Sequence, residues 1–113
     1  MDDKQIMYNV LCQIRDELGI GYIISEHKIV FCHYFLLKSD TASFGRRVLA
    51  VWRGTFPGPI NIEGNMHSVE VGHVCVCDLD DYRNRVRLHV ADPDVVSKAV
   101  AFMKEGVSCP TKL

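Results

Sequence analysis

The sequence predicts an α+β domain of two layers, in which an antiparallel sheet of about five strands is flanked by an N-terminal and a C-terminal helix. Apolar residues recur at helical spacing at both ends of the chain, the middle is rich in β-branched and aromatic residues, and short polar turns separate the middle runs. Strands joined by short turns form an antiparallel sheet, and a helix with one apolar stripe buries it against a sheet face. The 113 residues fit one domain, residues 1–113.

The N-terminal helix is predicted over residues 2–18. Asp2 is the predicted N-cap, with Gln5 as its reciprocal partner in a capping box. Gly19 and Gly21 are expected to end the helix, because glycine readily adopts the left-handed conformation that follows a helix C-terminus. The apolar stripe consists of Ile6, Met7, Val10, Leu11, Ile14 and Leu18.

Between the helices, runs of β-branched and aromatic residues predict five strands, at residues 22–24, 29–37, 46–55, 68–77 and 83–90. Residues 25–28 are expected to connect the first two strands. The second strand is apolar at both parities, which predicts a central strand buried on both faces. Residues 57–66, rich in Gly, Pro and Asn, are the longest irregular stretch and a candidate functional segment.

The third and fifth strands alternate more clearly, and the alternation predicts which side chains share a face. In the third strand, Val48, Ala50 and Trp52 are predicted on one face, and Arg47, Leu49, Val51 and Arg53 on the other. In the fifth strand, the inward residues are Val86, Leu88 and Val90, and the outward residues are Arg83, Arg85, Arg87 and His89.

The C-terminal helix has a strong start signal. Asp92 is the predicted N-cap, Pro93 the first helical residue, and Asp94 is favourable at the positive end of the helix dipole. Gly106 is expected to end the helix, whose buried stripe is predicted to be Val95, Val96, Ala99, Val100 and Met103.

A helix followed by a curved antiparallel meander is similar, in topology alone, to cystatin-like and nuclear-transport-factor-like cones.

Bulk composition argues against several classes of function. A net charge of −1 gives no general attraction to nucleic acid or anionic lipid. The chain has neither a secretory leader pattern nor an apolar run long enough to span a bilayer, so no membrane association is predicted. Five cysteines, an odd number without a secretion signal, predict free thiols and a cytoplasmic location.

Residues 72–81, Gly-His-Val-Cys-Val-Cys-Asp-Leu-Asp-Asp, are dense in potential ligands. His73, Cys75 and Cys77 would share one strand face, but a zinc knuckle needs cysteines separated by a turn, and that spacing is absent. The three aspartates are interpreted as turn residues. No signature of cysteine catalysis surrounds any thiol. The sequence predicts no metal and no cofactor, and it favours a role other than that of an enzyme without deciding the question.

Three functional hypotheses remain. The leading one is an interaction protein that forms a homodimer through a sheet face or edge, because its central strands carry more apolar surface than two helices can cover. The second is a cup that binds a small apolar ligand or acts catalytically, lined by Tyr34, Trp52, Phe56, His73 and Cys75. The third is binding of an acidic protein partner, of phosphate or, less favoured, of nucleic acid by a basic strip: Arg47, Arg53, Arg83, Arg85, Arg87 and His89.

Overall fold

The computed structural model describes residues 2–29, 32–40, 46–54, 60–62, 65–67, 71–78 and 85–105. The elements are, in chain order, α1 (Asp3–Leu18), β1 (Tyr22–Ile29), β2 (Cys32–Ser39), β3 (Arg46–Gly54), β4 (Ile60–Ile62), β5 (Asn65–His67), β6 (His73–Asp78), β7 (Arg85–His89) and α2 (Val95–Glu105). Five strands form one antiparallel sheet in the order β1-β2-β3-β6-β7, and β4 pairs with β5 separately. The predicted helix, five-stranded antiparallel sheet and second helix are confirmed.

Several strand boundaries differ from the prediction, and β2 begins at Cys32 rather than at residue 29, which ends β1. Strand β1 continues through Ser25 and His27, which pair with Leu36 and Tyr34 of β2, so residues 25–28 belong to the strand and do not form a connection. Strand β6 begins at His73 rather than at residue 68, since residues 71–72 form a turn in which Gly72 has φ of 94°. The segment predicted to be irregular contains the short strands β4 and β5.

Helix α1 begins and ends as its sequence indicates. Asp2 Oδ1 accepts a hydrogen bond of 2.9 Å from the backbone N–H of Gln5, which satisfies one of the unpaired amides of the first turn. The side-chain amide of Gln5 donates to Asn9 instead of returning to Asp2. At the other end the N–H of Gly19, with φ of 98°, donates to the carbonyl of Arg15.

Helix α2 begins at Val95, two residues later than predicted, and residues 93–94 form a turn. Asp92 is nevertheless the residue that caps this start, because its Oδ1 accepts from the N–H of Asp94 at 2.8 Å. Near the other end, Arg46 Nη1 donates to the carbonyl of Phe102 at 2.6 Å, and the guanidinium lies 3.9 Å from the centre of the Phe102 ring. Arg46 thus fastens the last turns of α2 to β3.

Both helices pack on one side of the sheet, which we call the first face. The buried residues of α1 and α2 form a single core with alternate residues of the central strands. The strand members of this core are Phe35, Leu37, Val48, Ala50, Val74, Val76 and Leu88. The inward positions predicted for β3 and β7 are therefore confirmed.

The opposite side, the second face, carries a separate apolar cluster that contains no residue of either helix: Cys32, Tyr34, Leu36, Leu49, Val51, Cys75 and Cys77. Each of the seven is at most 6% exposed. The sheet is therefore buried on both faces, as the apolar residues at both parities of β2 predict. The apolar surplus that suggested a dimer through this face is already buried within one chain.

In the part of the chain that the structure describes, neither helix has the length and the apolar character to cross a membrane.

Candidate functional site

Strand register places the predicted histidine, cysteines and arginines on the same side of the sheet. Directly opposed residues of antiparallel strands point to the same face. Cys75 is opposite Arg87, and Cys77 is opposite Arg85 on one side and Arg47 on the other. The structure therefore brings together two groups of residues that the sequence analysis had assigned to different sites.

Burial changes gradually across this part of the second face. Arg47, Cys75 and Cys77 are at most 2% exposed and lie within the sheet. Arg85 is half-buried, and Arg87 is exposed on the outermost strand. The site thus has a dry inner row, at β3 and β6, and an accessible rim, at β7.

Two histidines continue the rim. His73 is opposite His89 in the register, and their ring centres are 4.8 Å apart in an edge-to-face arrangement. The Nδ1 atom of His89 accepts a hydrogen bond from the N–H of Ala91 at 3.0 Å, which orients the ring.

The charged side chains that the described strands place on the second face are of one sign. The cations that the register places there are Lys38, Arg47, Arg85 and Arg87. No strand residue that the register places on this face is an aspartate or a glutamate. We call the group formed by Arg85 and Arg87 on β7, with Arg47 behind them in the inner row, the cationic rim. Its field favours anions.

Two cysteines of the second-face cluster have pKa values that are shifted in opposite directions. The pKa of Cys75 lies below its usual value, mainly because the Cys77 side chain hydrogen-bonds to it, with the charges of Arg85 and Arg87 acting in the same direction against burial. Burial raises the pKa of Cys32, a thiol of the same cluster on β2. The contrast shows that the polar and cationic surroundings of Cys75 outweigh its desolvation.

The rim also has backbone groups that point away from the described sheet. Val90 donates to the carbonyl of Gly72 at 2.9 Å. Because antiparallel strands alternate in the direction of their peptide groups, Val86 and Leu88 turn theirs toward β6, whereas Arg85 and Arg87 turn theirs outward. Strand β7 is the last strand of the described sheet. The carbonyl of His89 accepts from Asp92 at 3.0 Å, and the open edge ends there.

Part of the predicted apolar cup comes together among the described residues: Tyr34 and Cys75 belong to the second-face cluster, whereas Trp52 lies on the other side of the sheet. Tyr34 is on the second face, where its ring stacks on His27 at 5.0 Å. Trp52 packs against the core of the first face, 5.0 Å from the His33 ring and 4.9 Å from the Lys4 ammonium. A register shift beside His33 makes Trp52 an extra residue of β3, as in a β-bulge.

Of three other predicted residues, one lies away from the cationic rim and two fall outside the residues that the structure describes. Arg53 is exposed on β3 and opposite His33, two strands from β7. Phe56 and Arg83 fall outside the described residues.

Two depressions lined by described residues lie elsewhere on the molecule. One of about 430 Å³ is lined by Asp2, Lys4, Gln5, Tyr8, Glu26 and Phe35, and Lys4 and Glu26 form an ion pair of 3.0 Å there. Another of about 450 Å³ surrounds the end of α1. The sequence analysis missed the Lys4–Glu26 pair because it placed Glu26 in a connection, although an apolar residue on either side of residues 25–28 could have indicated a continuous strand.

Among the described residues, no three or more His, Cys, Asp or Glu side chains are placed to hold a metal ion. The chain matches no family model, and neither a curated protein nor a solved structure shows significant similarity to it.

Proposed function

We propose that this chain is a small interaction protein that binds an acidic, extended segment of a partner protein along β7. One observation carries the proposal: β7 turns the peptide groups of Arg85 and Arg87 outward and presents both side chains on a face whose strand residues include no carboxylate. Addition of a strand to a sheet edge uses such peptide groups for affinity and alternate side chains for specificity.

The spacing fits an extended ligand. Residues two apart on a strand are about 6.5–7 Å apart and point the same way, so a bound strand with acidic residues at alternate positions would place one carboxylate near each arginine. Opposite charges across two strands contribute about 0.2–1 kcal/mol per pair. Arginine adds two parallel hydrogen bonds to a carboxylate where the geometry allows.

The same features argue against nucleic acid as the preferred ligand. Binding of single strands relies on exposed aromatic rings that stack on the bases, whereas Tyr34, the aromatic residue of the second-face cluster, is 6% exposed. An open strand edge is of no particular use to a phosphate backbone. A protein strand uses both the charges and the edge.

A cytoplasmic location belongs to the proposal. The described cysteines Cys12, Cys32, Cys75 and Cys77 form no disulfide with one another, which fits a reducing compartment.

The test uses a fluorescein-labelled heptapeptide in which glutamate alternates with threonine and valine. Fluorescence anisotropy at low salt should show saturable binding that weakens strongly at 0.5 M salt, because the contacts are ionic and exposed. Arg87→Glu should weaken binding at least about tenfold, since a repulsive pair replaces an attractive one. Arg53→Glu is the matched control, with the same charge change on an exposed residue away from β7, and should bind as the native chain does.

A second peptide separates strand addition from general attraction to charge. The same heptapeptide N-methylated at alternate residues keeps its carboxylates but cannot pair with an edge, and it should bind at least about tenfold more weakly. Three results would each overturn the proposal. They are equal binding of both peptides, an equal loss of binding in Arg87→Glu and Arg53→Glu, and tighter binding of a single-stranded oligonucleotide than of the acidic heptapeptide.

A further inference from the structure

The opposite edge of the sheet has a different character. Strand β1 is eight residues long, it is the first strand of the described sheet, and none of its residues is fully buried. We infer that β1 is a self-association edge, which pairs antiparallel with β1 of a second copy of this chain about a two-fold axis at Glu26.

The direction of the peptide groups supports this pairing. Asp40 donates to the carbonyl of Gly21 at 2.6 Å, so the odd-numbered residues of β1 turn their peptide groups toward β2. The even-numbered residues Ile24, Glu26 and Lys28 therefore turn theirs outward. A second copy centred on Glu26 would pair Ile24 with its Lys28, Glu26 with its Glu26, and Lys28 with its Ile24.

The side chains favour that register. Ile23 and Ile29 are 42% and 40% exposed, an unusual pair for an edge strand. Both project toward the second face. Ile29 is opposite Cys32 of the second-face cluster, and Ile23, an even number of residues away on the same strand, points to the same side. In the register centred on Glu26, Ile23 of each copy lies directly opposite Ile29 of the other, so both pairs lose exposed apolar surface.

The same register has one unfavourable contact. The two Glu26 residues face each other on the first face, and like charges directly opposite are destabilising. Each carboxylate already has the ammonium of Lys4 at 3.0 Å, and Lys28 of the other copy is its diagonal neighbour. The expected result is a weak dimer whose strength depends on residue 26.

Strand β7 is not suited to the same use. An antiparallel self-pairing centred on Arg87 would oppose two arginines directly and leave Arg85 opposite His89. The cationic rim thus disfavours self-pairing at one edge, whereas the two isoleucines favour it at the other.

The decisive variant is Lys28→Pro. Proline is tolerated where a strand N–H faces away from its sheet, so the fold should remain while the edge loses a donor in each copy. Analytical ultracentrifugation over 1–300 µM should show a monomer–dimer equilibrium for the native chain and for Lys28→Ala. In Lys28→Pro the dimer dissociation constant should rise at least about tenfold, because the dimer loses one hydrogen bond from each copy, two in all. By contrast, His27→Pro should lower the melting temperature, because that N–H points toward β2.

Two further variants make the inference independent of proline. Ile23→Lys, at an exposed position, should weaken the dimer without changing the melting temperature, and Glu26→Gln should strengthen it because the like-charge pair disappears. Arg87→Glu, which removes binding of the acidic peptide, should leave the dimer unchanged, so the two proposals can fail separately. A native chain that remains monomeric at 300 µM, or a dimer unaffected by both Lys28→Pro and Ile23→Lys, would overturn the inference.

Discussion

Cys75 is the residue at which the apolar and the cationic parts of the second face meet. It is 1% exposed and belongs to the apolar cluster, yet Arg87 is directly opposite it and Arg85 is opposite its neighbour Cys77. Burial alone would raise the pKa of a thiol, as it does for Cys32. The lowered pKa of Cys75 therefore reports the hydrogen bond from Cys77 and the arginine charges.

This balance predicts the effect of removing an arginine. Arg87→Ala should raise the pKa of Cys75, because the thiolate loses a nearby positive charge. The midpoint can be followed through the ¹³Cβ chemical shift of Cys75 during a pH titration, with Cys32 as an internal reference whose midpoint should not change. An unchanged Cys75 midpoint would show that the arginine does not act on this thiol.

At the scale of the elements, residue alternation was predictable from sequence and pairing was not. The faces of β3 as far as Trp52 followed from period two, which is a local property, but the register shift beside His33 moves Arg53 off the face predicted for it. Strand β1 was predicted too short because Ser-Glu-His-Lys is typical of a turn, although at a sheet edge polar residues are compatible with a strand. The basic strip was predicted as one site, but its position beside Cys75 and Cys77 was not, since that depends on β3 pairing with β6 past the intervening β4 and β5.

The start of α2 provides a pH test at this scale. Asp92 Oδ2 accepts from Lys98 Nζ at 2.8 Å. The Lys98 hydrogen bond, together with that from the Asp94 N–H, lowers the pKa of Asp92, and the same ion pair raises the pKa of Lys98. A lowered carboxyl pKa stabilises the fold above the unfolded value near pH 4 and is lost as pH falls. A raised amine pKa stabilises below about pH 10 and is lost as pH rises.

Asp92→Asn keeps an acceptor for the Asp94 amide but loses the ion pair. The native chain should therefore melt at a higher temperature than Asp92→Asn between about pH 5 and 9, and the two curves should converge below pH 4 and above pH 10. Ser97→Ala, on the same helix without a titrating group, should differ from the native chain by the same amount at every pH. Differential scanning fluorimetry across the range gives the comparison, and a difference for Asp92→Asn that does not vary with pH would contradict it.

At the scale of the whole molecule, the sheet divides two kinds of surface. The first face is filled by both helices, and the second face ends in the cationic rim. The second-face cluster is buried without any residue of α1 or α2. If it is a true second core, it fixes the strands that hold Arg47, Arg85 and Arg87 in place, and the rim is then rigid before any partner binds.

Two leucines in neighbouring strands test whether the second-face cluster is a core. Both are 0% exposed, and they lie on opposite faces of the sheet. Leu37 lies in the helix-covered core, and Leu49 lies in the second cluster opposite Leu36 and Cys75. Leu37→Ala and Leu49→Ala should each lower the free energy of unfolding by about 2–5 kcal/mol, the range for a leucine removed from a packed core. Urea denaturation should give both values with an unchanged m-value. A loss below about 1 kcal/mol for Leu49→Ala alone would mean that the second face is a covered surface rather than a core, and the rim would then have to be ordered by its partner.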